Sequence, residues 1–266
     1  MTRIFSGAVL LALAIAVVWF APALLFLLAA ELLLVLACRE FAALAAASHL
    51  AISTVLTTAA AALMALSFST VAVDWTSGVP IDTFLMTVFV TLAVASLLSW
   101  RGGGDAVATA SASAFPVLYL GLPVGAMIAI RETRGAEGLF LLMLTVFASD
   151  TAQYYTGRAF GRRPLAPVVS PKKTIEGAVG GFVVGAIVHA AVGAWWMPAM
   201  PVALRALTGV LIVALGIAGD LFESMLKRSA GVKDSSALIP GHGGVLDRID
   251  ALLFAAPVYY VVLHYV

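Results

Sequence analysis

The densest concentration of charge in the chain lies between Gly219 and Asp250, in the stretch GDLFESMLKRSAGVKDSSALIPGHGGVLDRID. Five of the fourteen acidic residues, four of the fifteen lysines and arginines and one of the four histidines fall within it. The acids are Asp220, Glu223, Asp234, Asp247 and Asp250, and the cations are Lys227, Arg228, Lys233 and Arg248. Ionisable groups beside apolar helices are costly and usually functional. The stretch is therefore the first place to look for an active site.

Its first part predicts a polar helix face. Asp220, Glu223, Ser224 and Lys227 are spaced three, four and seven residues from the first, so a helix brings them to one side. Asp220 follows a long apolar run, where an ionised carboxylate needs a cation or a metal ion. Two interpretations are open: an Asp220–Lys227 ion pair that only stabilises the bundle, or a set of ligands and counter-charges for a substrate.

The following residues suit a polyanion. Lys227, Arg228 and Lys233 place three cations within seven residues, which favours phosphate groups, although an anionic lipid surface fits the same pattern. Glycines surround His242, so the backbone there can approach a ligand closely and offer N–H groups to phosphate oxygens.

Two acids then open the last helix. Asp247 and Asp250 are three residues apart and can face a cation or cap free N–H groups. Capping explains Asp250 better than it explains Asp247.

A second polar segment precedes this stretch. Asp150 stands near the end of an apolar run, where a carboxylate is again costly. Thr174 is a suitable N-cap for the next helix, with Glu176 in its first turn. Capping by Thr174 and Glu176 does not explain why Lys172 and Lys173 precede this helix. Carboxylates favour Mg²⁺, no Cys/His cluster for zinc exists, and the chain has no Walker A motif. Carboxylates that can bind Mg²⁺, together with lysines and arginines, are typical of enzymes of phosphoryl or nucleotidyl transfer, here outside a P-loop fold.

These residues must be positioned by a membrane scaffold. Of the 266 residues 62% are hydrophobic and 11% charged, whereas a soluble domain has about 25% charged residues. The composition predicts an all-α, polytopic transmembrane bundle. Nine apolar segments are long enough to span a bilayer, at roughly 4–20, 23–45, 50–72, 82–100, 107–129, 137–157, 176–197, 203–223 and 250–266. Arg134-Gly135 is predicted to break the chain between the fifth and the sixth. The single Cys38 excludes an internal disulfide.

The distribution of lysine and arginine predicts the orientation. With nine spans and a cytoplasmic N-terminus, twelve of the fifteen lie on the cytoplasmic side, and only Arg131, Arg134 and Arg205 lie opposite. Two polar loops, 158–175 and 224–249, then share the cytoplasmic face. We expect residues 1–130 to be scaffold and dimerisation helices and residues 131–266 to form the catalytic region.

The polar motifs resemble those of one family, the phosphatidate cytidylyltransferases. The run from Ser224 to Asp250 resembles that family's signature, and 150–161 and 170–177 resemble two further blocks in the right order. Arg39-Glu40-Phe41 resembles a weaker early motif. Gln153 and Ile175 depart from the usual residues, but neither is a charged motif position.

The resemblance implies that CTP and phosphatidic acid give CDP-diacylglycerol and pyrophosphate, with Mg²⁺, at the cytoplasmic face of a bacterial inner membrane. It implies a homodimer, membrane lipid as a partner and no nucleic acid. Asp220 and Asp247 are the implied metal ligands, and the implied catalytic residues are Asp220, Lys227, Asp247 and Asp150. Substrate binding falls to Ser170, Lys172, Lys173, Thr174, Glu176, Ser224, Arg228, Lys233, Asp234, His242, Gly243, Gly244, Arg248 and Asp250.

Two other functions remain open at this point. One is a different CTP-dependent lipid enzyme, such as a polyprenol kinase or a cytidylyltransferase acting on another lipid phosphate. The other is an anion transporter, which predicts charges near the bilayer midplane and paired broken helices. Here the charges gather at one face and no repeat is evident, which disfavours transport.

Overall fold

A computed structural model describes residues 2–71, 81–100, 102, 106–239, 241 and 243–266, and these form a mainly helical, all-α protein. Its helices are α1 Thr2–Phe20, α2 Ala23–Ala47, α3 Thr54–Leu66, α4 Ile81–Ser99, α5 Ala106–Pro116, α6 Leu122–Phe160, α7 Ile175–Trp196, α8 Val202–Ser229 and α9 Leu246–His264. A π-helical turn, Val117–Gly121, joins α5 to α6. The predicted role of His242 lies outside the described residues.

Each of the nine predicted apolar segments contains helix, but several bounds were wrong. The fifth segment contains α5, the π-helical turn and the start of α6, and the sixth is the rest of α6. The predicted break at Gly135 is confirmed, since its φ of 75° and ψ of −175° interrupt the helix. Such a positive φ is readily adopted only by glycine. The third helix is shorter than predicted and ends at Leu66.

The described helices identify a membrane protein. Three helical stretches are long and apolar enough to cross a bilayer: Ala106–Phe160, α7 and α8. Large apolar side chains remain exposed along α2 and α7, including Leu24, Leu28, Val183 and Ile187. In a membrane such faces contact lipid rather than water.

The last four helices form the body that carries the polar residues. The most extensive contacts join α6 with α7, α8 with α9, α7 with α8 and α6 with α9. Glycines on α7 permit close packing: a Cβ at Gly177 would lie 2.8 Å from the Gln153 carbonyl oxygen, and one at Gly181 2.9 Å from Ser149 Oγ. Small residues spaced by four let membrane helices approach in this way.

Both predicted polar loops are shorter than expected. Residues 158–160 continue α6, and a hairpin of β1 (Pro164–Ala166) and β2 (Ser170–Thr174) fills most of the first loop. In the second, 224–229 belong to α8 and 246–249 to α9, which leaves 230–245 as the connection.

The N-terminal helices contribute to the same core as the helices of the predicted catalytic region. One cluster of buried apolar residues includes Leu34 and Phe41 of α2, Leu142 of α6 and Leu246 and Leu252 of α9. The predicted boundary after residue 130 falls inside α6, shortly before the Gly135 kink. The division into scaffold and catalytic regions stays a prediction.

Candidate active site

A salt bridge joins the two polar segments. Lys173 Nζ, on β2, lies 2.6 Å from Asp220 Oδ2 on α8. Asp220 Oδ1 accepts a 3.4 Å hydrogen bond from Ser224 Oγ, one helical turn away. The predicted polar face of α8 is therefore real, but its first acid pairs with the hairpin rather than with Lys227. This contact brings the two polar segments to one end of the bundle.

Lys227 connects two carboxylates instead. Its Nζ lies 2.5 Å from Asp247 Oδ1 and forms an ion pair with Glu223 on the same helix. The Glu223 side chain is fully buried and that of Lys227 is 10% exposed. One cation held between two acids keeps a net negative charge at this point, where desolvation makes every unpaired charge costly. The Asp220–Lys227 interpretation was therefore wrong.

The second oxygen of Asp247 organises the connection between α8 and α9. Asp247 Oδ2 accepts hydrogen bonds from Ser235 N at 2.9 Å, Ser235 Oγ at 2.7 Å and Gly244 N at 2.7 Å. Charge-assisted bonds of this kind are the strong ones in proteins. Asp247 thus fixes both ends of the 234–244 turn while its first oxygen holds Lys227.

Glu40, on α2, also anchors the connection between α8 and α9. Its carboxylate accepts bonds from Ser236 Oγ (2.6 Å) and Ser235 Oγ (3.0 Å). It also accepts the backbone N–H groups of Val245 (3.0 Å) and Leu246 (2.8 Å), at the start of α9. Only 6% of Glu40 is exposed. A buried carboxylate with this many donors supports the whole connection, and it satisfies N–H groups that a helix start leaves free.

The glycine turn packs against these two acids. Gly243 has a φ of +77°, and a Cβ there would meet Asp247 Oδ2. A Cβ at Gly244 would meet Ser235 and Glu40 closer than van der Waals contact allows. Glycine is therefore required at both positions. The Gly244 N–H is already bonded to Asp247, so it is not free for a phosphate oxygen in this arrangement.

Two further carboxylates, those of Asp150 and Asp250, lie near the first salt bridge. Asp150, Asp220 and Asp250 lie close enough for their charges to repel one another, and Lys173 also interacts with Asp150. Gln153 Nε2 donates to Asp150 Oδ1 at 3.0 Å. Within the described ranges no set of three or more acidic, His or Cys side chains is already arranged as a metal cage. Asp220 and Asp247 share no hydrogen-bond or ion-pair partner there.

Most of the remaining predicted residues are exposed. Lys172, Lys233, Asp234 and Arg248 are exposed, and Ser170 is partly buried in β2. Arg228 is exposed and donates to the Val232 carbonyl at 3.1 Å. The structure therefore forms two groups of polar residues, one around Asp220 and one around Asp247. The cations Lys172, Arg228, Lys233 and Arg248 remain exposed.

The capping predictions have mixed outcomes. Thr174 Oγ1 accepts from Gly177 N at 3.1 Å, which confirms it as the N-cap of α7. Glu176 lies in the first turn of α7, as predicted. Its Oε2 also accepts the N–H groups of Arg162 and Arg163 and so fastens the hairpin. The cap prediction for Asp250 was wrong. Among the described residues its side chain accepts only the adjacent Ala251 N–H, while Glu40 accepts the N–H groups at the helix start.

Comparison with known proteins assigns this arrangement to a family. A sequence profile described as "Cytidylyltransferase family" matches residues 1–266, the whole chain. The chain belongs to the cytidylyltransferase family. It is similar to the phosphatidate cytidylyltransferase of Thermotoga maritima, with 34% identity over 183 residues covering 67% of this chain and 68% of that protein.

Higher identities occur over shorter stretches. The phosphatidate cytidylyltransferase of Haemophilus influenzae is 50% identical over 131 residues, covering 46% of this chain and 45% of that protein. That of Pseudomonas aeruginosa is 43% identical over 139 residues, covering 52% and 51%. The chain spans about half the length of these two relatives in the alignments. Membership of the cytidylyltransferase family confirms the resemblance found in the polar motifs.

Sequence reasoning missed two members of the site. Glu40 was noted only as part of an early motif, and Ser235 was not singled out. A glutamate in an otherwise apolar helix was the signal available for Glu40. Nothing local marks Ser235, because its importance comes from Glu40 and Asp247 meeting at its hydroxyl.

Lys227 gives a first test of these contacts. Replacing it with methionine leaves Glu223 and Asp247 buried without their cation. We expect a loss of about 3–5 kcal/mol of stability, the cost of breaking one side of a buried ion pair. The melting temperature in detergent measures this loss. The double variant Lys227→Met/Glu223→Gln should recover part of the stability without recovering activity, and equal melting of the single variant and the parent would contradict the assignment.

Proposed function

We propose that this protein is a phosphatidate cytidylyltransferase, which forms CDP-diacylglycerol and pyrophosphate from CTP and phosphatidic acid. A phosphate oxygen of the lipid attacks the α-phosphorus of CTP, and the bond from that phosphorus to the bridging oxygen of pyrophosphate breaks. The nucleophile is already an anion, so a strong general base is not required. The main obstacle is repulsion between two polyanions, which cations and fixed dipoles offset.

One observation carries this proposal above all. Two charged segments far apart in sequence meet at one end of the bundle through Lys173–Asp220, and Lys227–Asp247 holds the two ends of the second segment together. Alternating cations and carboxylates there can bind both a phosphate chain and the cation that accompanies it. Further phosphate-binding charge is available from four exposed cations of the same two segments: Lys172, Arg228, Lys233 and Arg248.

The same observation supports a membrane orientation. Nine spans with a cytoplasmic N-terminus place the hairpin and the 230–245 connection on one side. The salt bridge from Lys173 of the hairpin to Asp220 agrees with this, because Asp220 lies on α8, the helix that leads into the connection. We infer that this is the cytoplasmic side of a bacterial inner membrane, where CTP is available and lysine and arginine accumulate. The homodimer implied by the family resemblance stays a prediction.

The acids near Asp220 fit a divalent cation. Asp150, Asp220 and Asp250 repel one another, with Lys173 as the nearby cation. Oxygen ligands of this kind suit Mg²⁺. We propose Asp220 and Asp247 as its ligands, with Asp150 and Asp250 as further candidates. Asp247 can contribute through Oδ1, which holds only Lys227, since Oδ2 accepts three hydrogen bonds. When bound, Mg²⁺ would neutralise charge on the triphosphate and on departing pyrophosphate.

The reaction itself can be tested with purified protein. CTP labelled in its cytidine, supplied with phosphatidic acid and Mg²⁺, should yield labelled lipid and one pyrophosphate for each lipid formed. Removal of divalent ions with EDTA should abolish both products, and Mg²⁺ should restore them. A polyprenol kinase would instead transfer the terminal phosphate and release CDP. Release of CDP without labelled lipid, or no turnover of phosphatidic acid, would contradict the proposal.

A further inference from the structure

The β1–β2 hairpin region carries a charge pattern that the reaction does not fully use. Between Arg158 and Thr174 the sequence has five cations and no acid. Lys173 pairs with Asp220, but Arg158, Arg162 and Arg163 are exposed. Arg163 approaches Glu176 only at 3.8 Å, with 79% of its side chain exposed. This region therefore presents excess positive charge to its surroundings.

The hairpin emerges where the lipid-facing surface of the bundle begins. On α7 the exposed residues Ile175, Val179, Val183 and Ile187 recur every four positions and form one apolar stripe. The glycines of α7 occupy the opposite, packed side. Since β2 ends at Thr174, directly before this stripe, the hairpin lies at the edge of the surface that contacts lipid.

Aromatic residues mark the same level on the neighbouring helix. Tyr154, Tyr155 and Phe160, in the last two turns of α6, are all exposed. Aromatic side chains concentrate at membrane interfaces, where their rings fit among headgroups. The cations of the hairpin region therefore follow exposed aromatic residues of the kind found at membrane interfaces.

The hairpin also has an inner and an outer side. Leu165 packs against the apolar cluster of Ala178, Val213 and Ile217, which fastens β1 to α7 and α8. Val168, in the turn between the strands, is 91% exposed. An exposed apolar tip among cations is typical of segments that lie in the headgroup region.

From these contacts we propose that the β1–β2 hairpin docks on anionic phospholipid headgroups, with its basic residues among the phosphates and Val168 inserted beneath them. The proposal rests on the membrane orientation given under the proposed function. A free polyanion in water would explain the cations but not the apolar tip or the aromatic residues beside it. Because Lys173 of the same hairpin contacts Asp220, docking would hold lipid phosphates beside the reaction centre.

A label at Val168 tests the proposal without any reaction. The variant Cys38→Ser/Val168→Cys removes the single native cysteine and accepts one fluorophore at the tip. The protein is placed in nanodiscs of phosphatidylcholine with or without phosphatidylglycerol, together with a lipid whose headgroup carries a nitroxide quencher. We expect strong quenching that increases with phosphatidylglycerol and weakens at high salt. A label at the exposed Ala237, in the 230–245 connection, should respond less to lipid charge.

Charge variants decide between docking and simple proximity. Arg162→Gln/Arg163→Gln should lower the ratio of quenched to unquenched label roughly fivefold for each charge removed, and Arg162→Lys/Arg163→Lys should retain it. Quenching that is equal in both lipid mixtures and indifferent to both pairs of substitutions would overturn the proposal. So would a Val168 label that only a water-soluble quencher reaches. Neither CTP nor phosphatidic acid is present, so failure of the proposed activity would leave these results unchanged, and the reverse also holds.

Discussion

Replacing Asp220 with asparagine is expected to lower kcat by roughly 100-fold or more, the usual consequence of removing one preorganised electrostatic group from an active site. Asp220 forms a salt bridge with Lys173 of the hairpin, and its charge repels those of Asp150 and Asp250. The amide keeps the shape of the side chain but loses the charge that attracts a divalent ion. Initial rates of pyrophosphate release over a range of Mg²⁺ concentrations measure the effect.

The dependence on Mg²⁺ separates a ligand from a merely structural acid. If Asp220 holds the ion, the variant should need more Mg²⁺ as well as turn over more slowly. Asp250→Asn, prepared in parallel, shows whether a second acid whose charge repels that of Asp220 shares this role. Glu137→Gln removes a charge near the Gly135 kink, away from the site, and should leave the rate and the Mg²⁺ dependence unchanged. An Asp220→Asn protein with the parent's turnover would remove the metal assignment.

Replacing Glu40 with alanine is expected to damage both stability and activity, although Glu40 belongs to α2 and carries no proposed contact with substrate. Its carboxylate serves Ser235, Ser236 and the first N–H groups of α9. Buried donors left unsatisfied cost about 1–3 kcal/mol each, so the loss of stability should be several kcal/mol. Displacing the glycine turn and Asp247 by about 1 Å is enough to lower turnover roughly 100-fold.

Conservative and neighbouring variants identify Glu40 as a positioning residue. Glu40→Gln retains one acceptor oxygen but turns a donor toward other donors, so its melting temperature and kcat should lie between those of the parent and of Glu40→Ala. Arg39→Gln, at the exposed adjacent position, should alter neither quantity. The KM for Mg²⁺ should change less in Glu40→Ala than in Asp220→Asn. Unchanged melting and turnover in Glu40→Ala would show that these hydrogen bonds do not support the site.

The local features of this protein could be read from its sequence. Apolar runs located the helices, Gly135 located the break in α6, and Thr174 was correctly identified as the N-cap of α7. These features depend on neighbours within a few residues along the chain, where periodicity and side-chain chemistry are sufficient. The cytidylyltransferase motifs were likewise legible, because their residue types and spacing are local.

The pairing of the charged groups was decided only by the tertiary structure. The sequence placed Asp220 and Lys227 on one helix face. In the structure Asp220 forms its ion pair with Lys173, whereas Lys227 forms ion pairs with Glu223 and Asp247. The sequence predicted Asp250 as the cap of the last helix. In the structure the N–H groups at the start of α9 donate to Glu40, which lies about two hundred residues earlier in the chain. A periodic pattern predicts which face of a helix a side chain occupies, but not which residues of other helices it contacts. That depends on how helices distant in sequence pack, and here close α6–α7 packing and the α2–α9 contact determine it.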